Sequence, residues 1–188
     1  MAADRNRSAF VLTVSDRVSA GKNIDESGPA LTKRLEQEGF AVERGLVPDD
    51  PDQIASRVEA AAQDHGLVIV TGGTGLGPRD VTPQALRTIL DYEVPGFGEA
   101  MRAEGRRSTP FASLSRSLGG VVDRALVVAL PGSTRGAMES LEAVIPLLDH
   151  ALETLLGERA GHPGESAAPA AESAVPAGES GDQSPPAS

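Results

Sequence analysis

The sequence predicts a three-layer α/β/α domain built on a mostly parallel central sheet. Three observations carry that prediction. The apolar runs "FVLTV" (10–14), "LVIVT" (67–71) and "ALVVAL" (125–130) are continuous rather than alternating, as strands covered on both faces are. Segments of helical period separate them. Polar and glycine-rich loops follow the runs, at the edge where an open parallel sheet binds its ligands.

The elements follow in order. Residues 10–14 form the first buried strand. Residues 27–39 read as a helix, with Ser27 as cap, Pro29 in the first turn and Gly39 at the end. "FAVERGLV" (40–47) alternates as a strand with one wet face. Residues 49–66 hold a second helix, capped by Asp50, with Pro51 following and Gln53 in capping-box position. Its inner stripe is Ile54, Val58, Ala61 and Ala62. Residues 67–71 are a strand, 82–91 a helix capped by Thr82, and 96–105 another helix. Residues 125–130 are the fourth apolar strand. A helical stretch over 133–156 closes the body, with Pro146 expected to kink or divide it.

Composition bounds the rest. The chain has 188 residues, no cysteine and a formal net charge of −10. That length suits one domain, and the missing cysteine removes disulfides, thiolate metal sites and a cysteine nucleophile. Residues 1–8 read as a flexible N-terminus, 9–160 as the folded domain and 161–188 as a disordered Ala/Pro/Ser/Glu tail. The tail holds four acids (Glu165, Glu172, Glu179, Asp182) and no Lys or Arg, so the remainder carries −6. Such a body does not suit a nucleic-acid backbone. With no membrane span and no signal-peptide core, a cytoplasmic location is expected.

The rim carries the chemistry. In "TGGTGLGPRD" (71–80), Gly72, Gly73, Gly75 and Gly77 free the backbone amides to cradle an anion, with Thr74 and Arg79 beside them. A tight turn would ask for one or two glycines. The loop is neither a P-loop nor a dinucleotide fingerprint, because no Gly-Lys-Ser/Thr ends it and Pro78 occupies the last fingerprint position. Asp80 beside a phosphate nest reads as a magnesium ligand shared with phosphates, or else as a partner of Arg79 or a helix cap. Asp49 and Asp50 end the neighbouring strand; Asp50 suits the cap, which leaves Asp49 for chemistry. Ser15 and Asp16 bind substrate or turn the chain. His65, His150 and His162 fall far apart, and none is placed as a base or ligand. Leu118, Val121 and Val122 read as loop residues whose apolar side chains help cover a subunit interface.

These residues carry a resemblance. "VSDRVSAG", "ESGPAL", "LVPDD", "TGGTGLGPRDVTPQA", "VPGFGEAMR", "LSRSLGG" and "LPGST" occur in that order over about residues 9–157. The series resembles the molybdenum-cofactor biosynthesis family, and within it the molybdopterin adenylyltransferases, including the corresponding domain of gephyrin-type proteins. The resemblance implies a molybdopterin-binding fold and transfer of AMP from ATP to the terminal phosphate of molybdopterin, with pyrophosphate leaving. It implies magnesium, a homotrimer and a downstream molybdenum-insertion enzyme as partner. Carried over by position, Asp49 and Asp80 are the catalytic, metal-holding pair. Gly72, Gly73, Thr74 and Gly75 match the substrate loop. Ser115, Arg116, Pro131, Gly132 and Ser133 match positions lining the pocket. Gephyrin-like members carry Asn where Ser133 stands. Two other readings share these features: a molybdopterin carrier without efficient transfer, and an interaction module.

Overall fold

The computed structural model describes residues 5–157. The chain runs β1 (Ser8–Val14), α1 (Asp16–Ser19), α2 (Ser27–Gln37), β2 (Ala41–Val47), α3 (Pro51–Asp64), β3 (Leu67–Thr71), α4 (Thr82–Arg87), β4 (Tyr92–Glu93) and α5 (Pro95–Ser108). A 3₁₀ turn (Pro110–Leu114), β5 (Leu118–Val122), β6 (Ala125–Leu130) and α6 (Thr134–Leu156) complete it. The strands form one sheet in the order β2-β1-β3-β6-β5-β4. The first four are parallel, and β5 and β4 extend the sheet antiparallel. This is the expected three-layer arrangement.

The continuous apolar runs are explained by burial on two sides. Val11, Ile69 and Val128 face one layer with Leu31, Leu35, Leu141, Val144 and Leu148. Their neighbours Leu12, Val68 and Val127 face the other with Ile54, Val58 and Leu86. Successive strand residues point to opposite faces, so only a sheet covered twice needs apolar residues at every position. β2 sits at the sheet edge, and its one buried residue is Val47. That position accounts for its polar, alternating sequence.

Several expectations are corrected. Leu118–Val122 is no loop: it is a strand with every residue buried inside the chain. Two glycines in the run, Gly119 and Gly120, hid its strand character, since glycine weakens a strand pattern. Ser27 is not the cap of α2. Asp25, two residues earlier, accepts the amide of Gly28 at 2.9 Å. Thr82 does not cap α4 either; its hydroxyl donates to the carbonyl of Gly72 at 2.8 Å. Pro146 lies inside α6 without dividing it. The proline removes one backbone bond, and the buried face through Val144, Leu148 and Leu152 holds the helix on the sheet. The expected flexible segment 1–8 overlaps the described chain at 5–8. There Ser8 opens β1, and the carbonyl of Arg5 accepts from Gly66. The expected tail, 161–188, lies outside the described residues. Among the described residues no helix is long and apolar enough to cross a membrane.

Candidate active site

Parallel strands bring their carboxyl ends to one rim. Ser15, Asp49, Gly72 and Pro131 stand just past β1, β2, β3 and β6. Cross-links join the loops there: the Ser15 amide donates to Val47 O at 3.0 Å, Gly72 N to Leu130 O at 3.2 Å, and the Thr71 hydroxyl to Pro131 O at 2.8 Å.

The glycine loop is bound to its surroundings by backbone proximity. Gly72 has φ 108° and Gly73 φ 63°, conformations that L side chains rarely adopt. A Cβ on Gly72 would lie 2.2 Å from the carbonyl oxygen of Val14. Thr82 holds the loop from the helix side, through its hydroxyl on Gly72 O and its amide on Gly73 O. Arg116 holds the far limb: Nε donates to Gly75 O at 2.8 Å, Nη2 to Asp80 O, and its amide to Thr74 O at 2.9 Å. Arg116, expected to line the pocket, thus braces the loop carbonyls from behind.

The carboxylates differ from expectation in their partners. Asp80 pairs with neither Arg79 nor the next helix. Its Oδ2 accepts the Gly77 amide at 2.7 Å, which closes the turn on itself. Arg79, read as a cation for the bound anion, grips Asp16 instead, with Nε to Oδ2 and Nη2 to Oδ1 both at 2.9 Å. That hydrogen-bonded guanidinium holds the Asp16 carboxyl below its ordinary range. Asp16 and Asp49 exchange bonds: Asp16 N donates to Asp49 Oδ2 at 2.8 Å, and Asp49 N to Asp16 Oδ1 at 3.0 Å. Asp50 caps α3 through Gln53 N at 2.9 Å, the role the sequence assigned it. The amides of Gly72 and Gly77 are used inside the protein, which confines the anion-nest reading to Gly73, Thr74 and Gly75.

Two clefts open on this rim. One, of about 540 Å³, has an apolar wall of Leu76, Met101, Phe111 and Leu114 and a polar floor of Thr74, Ser115 and Ser133. The other, of about 530 Å³, is polar and is lined by Thr13, Ser15, Asn23, Asp25, Ser27 and Asp49. Gly73, Asp80, Gly132 and Ser133 line both. The shared wall is therefore the glycine loop and the start of α6, whose cap is the Ser133 hydroxyl accepting from Gly136 N at 3.2 Å. Ser115 Oγ shares a hydrogen bond with Ser117 Oγ at 2.8 Å, facing the first cleft. Ser15 caps α1 and lines the second.

Three site residues escaped the sequence. Asp25 lines the polar cleft and accepts from the Thr13 hydroxyl at 2.9 Å. Arg102 lines the first cleft and donates to Ser117 O at 2.9 Å. Thr82 pins Gly72. Asp25 had a local signal, as an acid just ahead of a helix start; the other two depend on folds of the chain that bring back residues ten and fifteen positions away. His65 is buried away from the rim, its Nδ1 2.6 Å from the Ser8 hydroxyl. Among the described residues no group of three or more His, Cys, Asp or Glu could hold a metal ion.

A family model described as "Probable molybdopterin binding domain" matches residues 10–150. The molybdenum cofactor biosynthesis bifunctional protein of Synechococcus elongatus is 43% identical over 155 residues, covering 81% of this chain and 49% of that protein. The chain spans about half the length of the bifunctional relatives it matches. The molybdopterin adenylyltransferase of Haemophilus influenzae is 40% identical over 139 residues, 71% of each chain. The crystal structure of the molybdopterin biosynthesis enzyme MoaB from Thermus thermophilus matches with a TM-score of 0.76 at 46% identity, covering 80% of this chain and 96% of that one.

Proposed function

This chain belongs to the molybdopterin-binding domain family, and from that membership we propose that it transfers AMP from ATP to the terminal phosphate of molybdopterin. One observation carries the reading. Two clefts of similar size meet at one wall, and Asp80 lines both. A transfer between two substrates needs such a meeting place, since holding the reacting groups together supplies much of the rate. The apolar wall suits a planar heterocycle, and the polar cleft suits hydroxyls and phosphates. An oxygen of the pterin phosphate forms the new bond to the α-phosphorus of ATP, and the bond to pyrophosphate breaks. No side-chain nucleophile is needed.

Asp49 and Asp80 beside phosphates are unfavourable without a cation between them. Two hard carboxylates lining one polar cleft, Asp49 and Asp80, fit magnesium, which keeps waters and takes its other ligands from phosphates. Bound there, magnesium would offset charge on the phosphates in the transition state. The protein's own part is to orient: Asp49 is aimed by the Asp16 amide, Asp80 by Gly77 N, and Gly73, Thr74 and Gly75 line the first cleft. The same reading makes the working form a homotrimer and passes the product to a molybdenum-inserting enzyme.

Asp80→Asn tests it. The amide oxygen can still accept from Gly77 N, so the loop keeps its shape. Molybdopterin affinity should hold, while turnover with labelled ATP falls roughly a hundredfold. Asp49→Asn should behave alike. Full turnover in Asp80→Asn would remove the metal role. A wild-type chain that binds molybdopterin tightly and transfers no AMP would be a carrier.

A further inference from the structure

Three rim loops converge on one carboxylate. Asp16, just past β1, accepts from the amide of Asp49 in the β2 loop, and returns its own amide to the Asp49 carboxylate. Both its oxygens are gripped by Arg79 of the glycine loop. Arg79 precedes Asp80, whose position in turn depends on the closed turn through Gly77. We infer that Asp16 is a positioning residue. It sets the spacing of Asp49 and Asp80 across the shared wall of the clefts, holding Asp49 directly and Asp80 through Arg79.

A merely structural ion pair predicts something different. The Arg79 and Asp16 side chains are 66% and 42% exposed, and exposed pairs add little to stability. Loss of the clamp should therefore leave the fold intact and loosen the site. Small displacements of reacting groups cost rate far out of proportion to their energy.

The inference rests on the adenylyl-transfer reading for its kinetic readout. Turnover, molybdopterin affinity by calorimetry and the magnesium concentration for half-maximal rate are measured for the wild type, Asp16→Ala, Arg79→Gln and the double variant. Arg87→Gln, which removes an exposed pair with Glu93 away from both clefts, is the control. Asp16→Ala should lower kcat roughly tenfold or more and raise the magnesium requirement several-fold. Molybdopterin affinity should stay within about twofold, and the melting temperature within about 3 °C. The double variant should be no worse than Asp16→Ala alone. Unchanged kcat in Asp16→Ala, or losses that multiply in the double variant, would overturn the inference. So would weaker substrate binding in Arg79→Gln alone, which would put the guanidinium on substrate. If the wild type transfers no AMP, the adenylyl-transfer reading fails by itself. Hydrogen exchange then judges the clamp: Asp16→Ala must speed exchange at the Asp49 amide and across 76–80, and unchanged protection there sinks it.

Discussion

At the scale of single residues, the rim is governed by which polar groups already have partners. Arg79 lies next to Asp80 in sequence, yet it reaches across to Asp16, with two bonds at 2.9 Å. Neighbours along a loop cannot tell which of two acids a guanidinium will take; loop geometry decides. The pairing has a measurable consequence. The Arg79 hydrogen bond is the largest cause holding the Asp16 carboxyl below its ordinary value of 3.8. The charged carboxylate is thus favoured in the folded chain. That preference is complete above the ordinary carboxylate range and is lost as pH falls through and below it. In a carboxyl NMR titration, Asp16 should titrate below the ordinary aspartate value, and Arg79→Gln should raise its midpoint; an unmoved midpoint refutes the pairing. Gly72 is a second case. Its φ of 108° and the 2.2 Å approach of a Cβ to Val14 O leave no room for a side chain. Gly72→Ala should cost more than about 2 kcal/mol in urea unfolding, because the strand ends must separate.

Among the elements, helix starts separate what short-range patterns can show from what they cannot. Asp50 was legible as a cap, because Pro51 and Gln53 mark the same start and the side chain bonds Gln53 N. Asp50→Ala should lower stability by about 1 kcal/mol in thermal unfolding, Asp50→Asn should be near neutral, and both should keep turnover. A large loss of turnover in Asp50→Asn would give that residue, not Asp49, the catalytic part. Ser27 and Thr82 looked like caps for the same compositional reason and are not. Thr82 is drawn instead to the Gly72 carbonyl, an acceptor ten residues away that the glycine loop brings back over α4. A hydroxyl takes the nearest unsatisfied acceptor, and only the folded loop says which one is near.

In the molecule as a whole, the clearest revision concerns β5. Leu118, Val121 and Val122 are interior residues of this chain, at 4%, 2% and 8% exposure. A trimer, if formed, must use other surfaces. Leu118→Ala should destabilise each chain by about 2–5 kcal/mol in urea unfolding. Sedimentation should show the same stoichiometry as the wild type; dissociation without loss of chain stability would return these residues to an interface. The sequence by itself determined the layers, the four parallel strands and the gathering of polar loops on one rim. Those follow from the period of apolar residues along a segment, which burial on both sheet faces dictates locally. It also marked Asp49, Asp80 and the glycine loop as candidates, because acids and glycines concentrate at those strand ends; Ser133 rests on the family resemblance alone. Tertiary structure alone decided that β5 turns antiparallel beside β6, that Arg116 braces the loop from behind, and that Asp16 joins three loops. Those contacts link residues far apart in the chain. Their choice depends on distances that only the packed sheet sets.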